Sequence, residues 1–238
     1  MKKSLRYALG GTSLFAALAG VSTPASAVFV AAVCQDLTCT TAPIIITDNG
    51  AGDTIPVPGA INFSMAAFGY SLLVNTSQSK PVIGSPLAPQ LDLTFTATGI
   101  GTIFLYAGDT DFTADPASFL LSLAQTSSGG SGAVTGRAWG GTTNNALTFS
   151  PLIGAIGPLT GAASSGMLAG TYDPTVSPYS LGIGVQIVRT TAGTTTGDLN
   201  FSAAVPEPAT WGMMLLGFAG IGMALRRTRK NGQLAQIA

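Results

Sequence analysis

Apolar and polar residues alternate with a period of two along much of the middle of this 238-residue chain. In Leu91-Asp92-Leu93-Thr94-Phe95-Thr96 the residues Leu91, Leu93 and Phe95 share one side, the pattern of a strand that buries one face. Residues 61–65 and 70–74 repeat it. Residues 101–106 follow a Thr98-Gly99-Ile100-Gly101 turn and are expected to pair back on 91–96 as a hairpin. Further strands are predicted at 119–123, 133–139, 167–171, 180–189 and 198–203, with Pro or Gly punctuating the chain every ten residues or so. Residues 117–125 would fit two helical turns after Pro116, but Ser118 and Ser122 alternate equally well with a strand, and strand is the assignment. Residues 150–166, rich in Gly, Pro, Ala and Ser, predict a long surface loop. Nine or ten short strands without an amphipathic helix predict an all-β fold, an antiparallel β-sandwich of jelly-roll-like form.

The two ends break this pattern. Met1-Lys2-Lys3-Ser4-Leu5-Arg6 is a cationic start, residues 7–21 are apolar and small, and Ala25-Ser26-Ala27 is an A-x-A cleavage site, so 1–27 is expected to be a signal peptide removed by signal peptidase. At the other end Val205-Pro206-Glu207-Pro208 precedes an almost uncharged run and then Arg226, Arg227, Arg229 and Lys230. The prolines break a helix before it enters the apolar run, and the cations stop it afterwards, which fixes the depth of the segment in a bilayer. Residues 209–225 would form a single transmembrane helix about 25 Å long, short of the roughly 30 Å hydrocarbon core unless the bilayer thins or side chains snorkel. Trp211 would mark one interface and Leu225 lies at the other end, before the cations. Gly217 and Gly220 form a small-residue face for close helix packing in lipid. Because Lys and Arg stay on the cytoplasmic side, 231–238 would be a short cytoplasmic tail, and the ectodomain, residues 28–204, would lie outside the inner membrane.

The run Val205-Pro206-Glu207-Pro208-Ala209-Thr210-Trp211-Gly212-Met213-Met214-Leu215-Leu216-Gly217-Phe218, followed by Ile221-Gly222 and Arg226-Arg227, resembles the PEP-CTERM sorting signal of Gram-negative bacteria in its Trp-containing subtype. The resemblance implies that Pro206, Glu207 and Pro208 are a recognition element for exosortase, a membrane protein. It also implies an anchored precursor in the inner membrane and a processed form at the cell surface or with exopolysaccharide or envelope matrix. Gly212 stands where the subtype commonly has Ala, and residues 231–238 extend past the basic cluster. The resemblance covers residues 205–230 and is silent about the ectodomain.

Composition narrows what the ectodomain can do. Residues 28–208 hold three cations, Lys80, Arg137 and Arg189, against ten carboxylates, a formal charge of −7, so nucleic acid is not an expected partner. Cys34 and Cys39 are the only cysteines and no histidine occurs, so a short-loop disulfide is expected in place of a metal site. Without histidine the usual base of a Ser or Cys hydrolase is missing, and no nucleophile elbow or phosphate loop stands in the ectodomain; no enzyme and no cofactor are expected. Asp109, Asp111 and Asp115 lie close together in a turn context where aspartates cap backbone amides. Asp109 and Asp111 are weak calcium candidates, as are the acids of the Asp48–Asp53 stretch. Two functions follow: a non-enzymatic envelope or matrix protein delivered by its tail, or a carbohydrate-binding module or adhesin in which Trp139 with Tyr106, Tyr172 or Tyr179 would stack on sugar. A lone tryptophan in a small domain more often contributes buried area, which favours a core position for Trp139.

Overall fold

A computed structural model describes residues 27–114, 117–204 and 212–223. Residues 1–26 of the signal segment, Pro206, Glu207, Pro208, Trp211, Leu225 and the basic cluster Arg226 to Lys230 lie outside the described residues.

Ten strands make up the described domain: β1 (Val30–Cys34), β2 (Ile44–Thr47), β3 (Ala60–Ala67), β4 (Tyr70–Gln78), β5 (Gln90–Phe112), β6 (Ala117–Ser128), β7 (Gly132–Gly140), β8 (Leu152–Thr160), β9 (Ala163–Tyr172) and β10 (Tyr179–Ala204). Every pairing is antiparallel. Two strands organise the rest. β5 has 23 residues and β10 has 26, and they run alongside each other from Tyr179 opposite Phe112 to Ser202 opposite Gln90. Midway the register shifts between Arg189 and Gly193, and the neighbours change there. On one side of the shift the order is β2-β1-β5-β10-β7-β8; on the other it is β3-β4-β5-β10-β6-β9.

The two halves fold face to face in a β-sandwich-like arrangement. Ile103, Leu105, Ile183 and Val185 from the first half share one buried cluster with Leu91, Phe95, Leu199 and Phe201 from the second. The approach is close: a Cβ on Gly136 of β7 would stand 2.8 Å from Leu199 of the opposite half. Burying a Leu or Phe side chain of this kind contributes about 1.5–3 kcal/mol.

The first half is also covered on its outer side, so residues 103–110 are buried without alternation. A second cluster of Phe104, Tyr106, Trp139 and the Cys34–Cys39 disulfide lies under Ala146, Leu147 and Phe149 of the β7–β8 connection. The Tyr106 hydroxyl donates to the Ala146 carbonyl at 2.8 Å and accepts from the Thr148 amide at 3.0 Å, which pins the connection down. Gly182 and Gly184 of β10 make room for these rings, since a Cβ at either position would fall 2.0 Å from the Tyr106 hydroxyl or 2.5 Å from the Phe104 ring.

Two expectations are corrected. Residues 98–101 are not a turn: β5 continues through them, and residues 91–96 and 101–106 do not form a hairpin with each other, because each finds its partner in β10. Residues 150–166 are not one long loop either, since β8 fills most of the stretch and β9 begins at Ala163. The inward residues of β8 include Gly154, whose missing side chain leaves space for Phe119 and Leu168, so the strand carries little alternation to read.

Candidate functional site

β10 ends at Ala204 in the middle of a sheet, paired to Ser118 of β6. Beyond the undescribed proline element a helix covers 212–223. Its 12 residues span about 18 Å, and no helix among the described residues is long and apolar enough to cross a membrane. It is apolar on all sides, yet Met213, Leu215, Leu216, Phe218, Ile221 and Met223 are each 59–71% exposed. A Cβ added at Gly212, Gly217, Gly220 or Gly222 would meet nothing within 4 Å, so the Gly217 and Gly220 face has no partner among the described residues. Among the described residues none covers this apolar surface.

The expected disulfide is present between Cys34 and Cys39, both buried. Inside its loop the Asp36 carboxylate accepts hydrogen bonds from the Thr38, Thr40 and Thr41 amides at 2.8–3.1 Å, and these bonds, the Thr40 amide first, hold its pKa far below the usual carboxylate range. The staple therefore closes a loop already organised around one carboxylate.

Asp109 and Asp111 each have hydrogen-bond partners within the protein. Asp109 is fully buried, 2.8 Å from the Lys80 ammonium, and accepts also from the Ser79 hydroxyl at 2.6 Å and the Thr110 amide at 2.8 Å. Asp111 accepts from the Asn144 side chain at 2.8 Å. In the other acidic loop Asp48 accepts from the Gly59 amide, and Asp53 from the amides of Asn49, Ile55 and Asn62. Backbone amides take these carboxylates, and among the described residues no group of three His, Cys, Asp or Glu stands close enough to hold a metal.

The four rings considered for sugar stacking are all buried: Trp139 packs edge-on to Phe104 at 5.8 Å, Tyr106 lies beneath the β7–β8 connection, and the hydroxyls of Tyr172 and Tyr179 share a 2.9 Å hydrogen bond. Trp139 occupies the core position expected of it. The cations are largely withdrawn as well. Lys80 pairs with Asp109, and Arg189 gives its guanidinium to the Ser128 and Thr194 carbonyls and the Thr195 hydroxyl. Neither was visible as a pair in sequence; the one signal was a lone charge standing in an apolar or threonine-rich run.

The outer face of the second half is open and rich in hydroxyls. Thr96 meets Thr196 at 3.2 Å and Thr98 meets Thr194 at 2.9 Å across β5 and β10. On the same face Asp92 takes the Asn200 amide at 3.4 Å, and its pKa is pushed up to about 7, first by burial and then by Asp198 beside it. A carboxyl whose pKa is raised on folding binds its proton more tightly in the folded state, so this contribution is full below about pH 4 and lost as pH rises toward 7. Asp92→Asn is therefore expected to raise the melting temperature at pH 8 and to leave it nearly unchanged at pH 4. Thermal melts of both proteins at the two pH values check this, and equal shifts at both would contradict it.

The described residues thus comprise an all-β domain and an apolar helix covered by none of them. Residues 204–230 match the PEP-CTERM protein-sorting motif, which begins at the last residue of β10 and takes in the proline element, the helix and the basic cluster. Such a motif implies an exported protein sorted through the membrane by exosortase. No curated protein sequence matches the chain. Among solved structures, a chain of infectious bursal disease virus, Gx strain, is similar at 9% identity and a TM-score of 0.33, over 74% of this chain and 50% of the viral one. The N-terminal cellulose-binding domain of β-1,4-glucanase C from Cellulomonas fimi is similar at 13% identity and a TM-score of 0.23, over 66% of this chain and 95% of that domain. This chain spans about half the length of the viral chain, and at such TM-scores neither likeness carries an argument.

Proposed function

We propose that this protein is a non-enzymatic envelope or extracellular-matrix protein whose mechanism is delivery. Signal peptidase removes 1–27, and the ectodomain, a jelly-roll-like sandwich, folds outside the inner membrane. The tail, of the Trp-containing subtype, then holds the precursor in that membrane through residues 209–225, with Trp211 at the outer interface and Arg226, Arg227, Arg229 and Lys230 inside. Exosortase recognises Pro206-Glu207-Pro208, and the processed domain passes to the cell surface or extracellular exopolysaccharide.

One observation carries the proposal: the helix at 212–223 is apolar all round and unpacked, directly behind a domain whose own core is closed. Water is a poor solvent for such a helix. The 12 described residues fall short of a span, whereas 209–225 as a helix needs only modest thinning or snorkelling. The ectodomain suits a polysaccharide environment for two reasons. With Lys80 and Arg189 buried it offers little cationic surface to anionic polymers or membranes, and its open face presents the hydroxyls of Thr96, Thr98, Thr194 and Thr196 for bonding to sugar hydroxyls.

Replacing Pro206, Glu207 and Pro208 with alanine in the producing cell is expected to leave a longer, membrane-retained chain. Fractionation with intact-mass measurement reads this. An unchanged mature C-terminus in that variant would reject processing at this element.

A further inference from the structure

The open edges of the sheets are not equally protected. β2, β3, β8 and β9 each pair on one side only. Exposed edges invite pairing with other chains, and proteins blunt them by shortness, bulges, proline or charge. β2 has four residues, the pairing of β3 shifts register between Ile61 and Phe63, and β8 carries Pro158 and two register shifts. β9 has none of these defences. It runs ten residues, ASSGMLAGTY, without charge or proline, and stays in unbroken register with β6 from Ala117 opposite Tyr172 to Thr126 opposite Ala163. Met167 at its centre is 71% exposed, more than any other large apolar side chain of the sheet domain.

We propose that β9 is a self-association edge, on which a second copy of this chain lays its own β9 antiparallel and continues the sheet across two molecules. The occupant follows from the strand itself. Antiparallel pairing of one segment with its own copy closes on a two-fold axis, so the same surface satisfies both partners. The domain as a whole is acidic, which opposes association, but this edge has no charge with which to repel its copy. Keeping the outer faces of both sheets on the same side sets outward residues opposite outward residues. The register centred on Met167 sets Met167 against Met167 of the second copy and Ser165 against its Ala169, covering the most exposed apolar side chain. A single strand edge is a small interface, so the association is weak in dilute solution and grows where the protein is concentrated. It does not depend on how the tail is processed.

The test uses the full chain in detergent. Residues directly opposite across an antiparallel junction have Cα atoms about 4.5–5.5 Å apart, within disulfide reach. Met167→Cys under mild oxidation is expected to give a disulfide-linked dimer at least tenfold faster than Leu87→Cys, an exposed control outside the strand. Adding Ser165→Lys and Ala169→Lys, which set like charges opposite each other, is expected to bring the rate down to the control. Equal rates for Met167→Cys and Leu87→Cys, or no effect of the lysines, would overturn the proposal. Should the lysine variant melt early, deuterium exchange of the unmodified chain decides: amides of 163–172 are expected to exchange more slowly as protein concentration rises, and concentration-independent exchange there would overturn it.

Discussion

Asp109→Ala is expected to destabilise the domain by about 3–5 kcal/mol, because it leaves the Lys80 ammonium buried without its counter-charge. Lys80 is only 8% exposed and lies 4.0 Å above the Phe112 ring, and its one other hydrogen-bond acceptor among the described residues is the Thr110 carbonyl. The substitution also deprives the Ser79 hydroxyl and the Thr110 amide of an acceptor. For a domain of this size each kcal/mol moves the melting temperature by about 2–4 °C, so a drop on the order of 10 °C is expected. The double variant Lys80→Met with Asp109→Leu removes both charges and is expected to recover more than half of that loss. A drop of under about 2 °C for the single variant would mean that the pair is solvated.

Arg189→Ala is expected to cost more than about 3 kcal/mol through a different failure. The guanidinium sits where β10 passes from one half-sheet to the other, and it joins the end of β6, through the Ser128 carbonyl at 2.8 Å, to the bend at Thr194 and Thr195. Arg189 is itself buried, and the change removes several hydrogen bonds from a charged donor at once, each worth about 1.5–3 kcal/mol, of which the one to the Thr195 hydroxyl is fully buried. Arg189→Lys is not expected to rescue the loss, since a single ammonium lacks the planar fork that reaches both strands. Urea denaturation reads this as a lower midpoint at unchanged slope for both variants. A wild-type midpoint for Arg189→Lys would show that charge alone, and not the fork, holds the crossing.

What could be read in the sequence depended on how local the cause was. The strand around Leu91, Leu93 and Phe95 was legible because its inner face is buried and its outer face is open. β1 was not, since all five of its residues are buried and nothing alternates. β8 hid behind small residues for the same kind of reason: Gly154 is small because Phe119 and Leu168 fill its place from the other side. The passage of β5 through Gly99-Ile100-Gly101 looked like a turn because glycine usually marks one, and only the matching irregularity in β10 shows that a continuous strand is meant. Lys80 and Asp109 meet across 29 positions, a distance no local pattern spans. The tail, by contrast, is a motif contiguous in sequence, so its proline element, apolar run and basic stop could all be read in order along the chain.

On the proposed reading, residues 204–230 are an address that is read and then removed. Intact-mass measurement of the protein recovered from the envelope and extracellular polysaccharide of the producing cell tests it most directly. A chain that begins at Val28 and ends near Pro206, Glu207 and Pro208, without Arg226 to Lys230, is the predicted result. Recovery of the same protein outside the cell with the basic cluster still attached, or of the uncleaved chain in the cytosol, would contradict it.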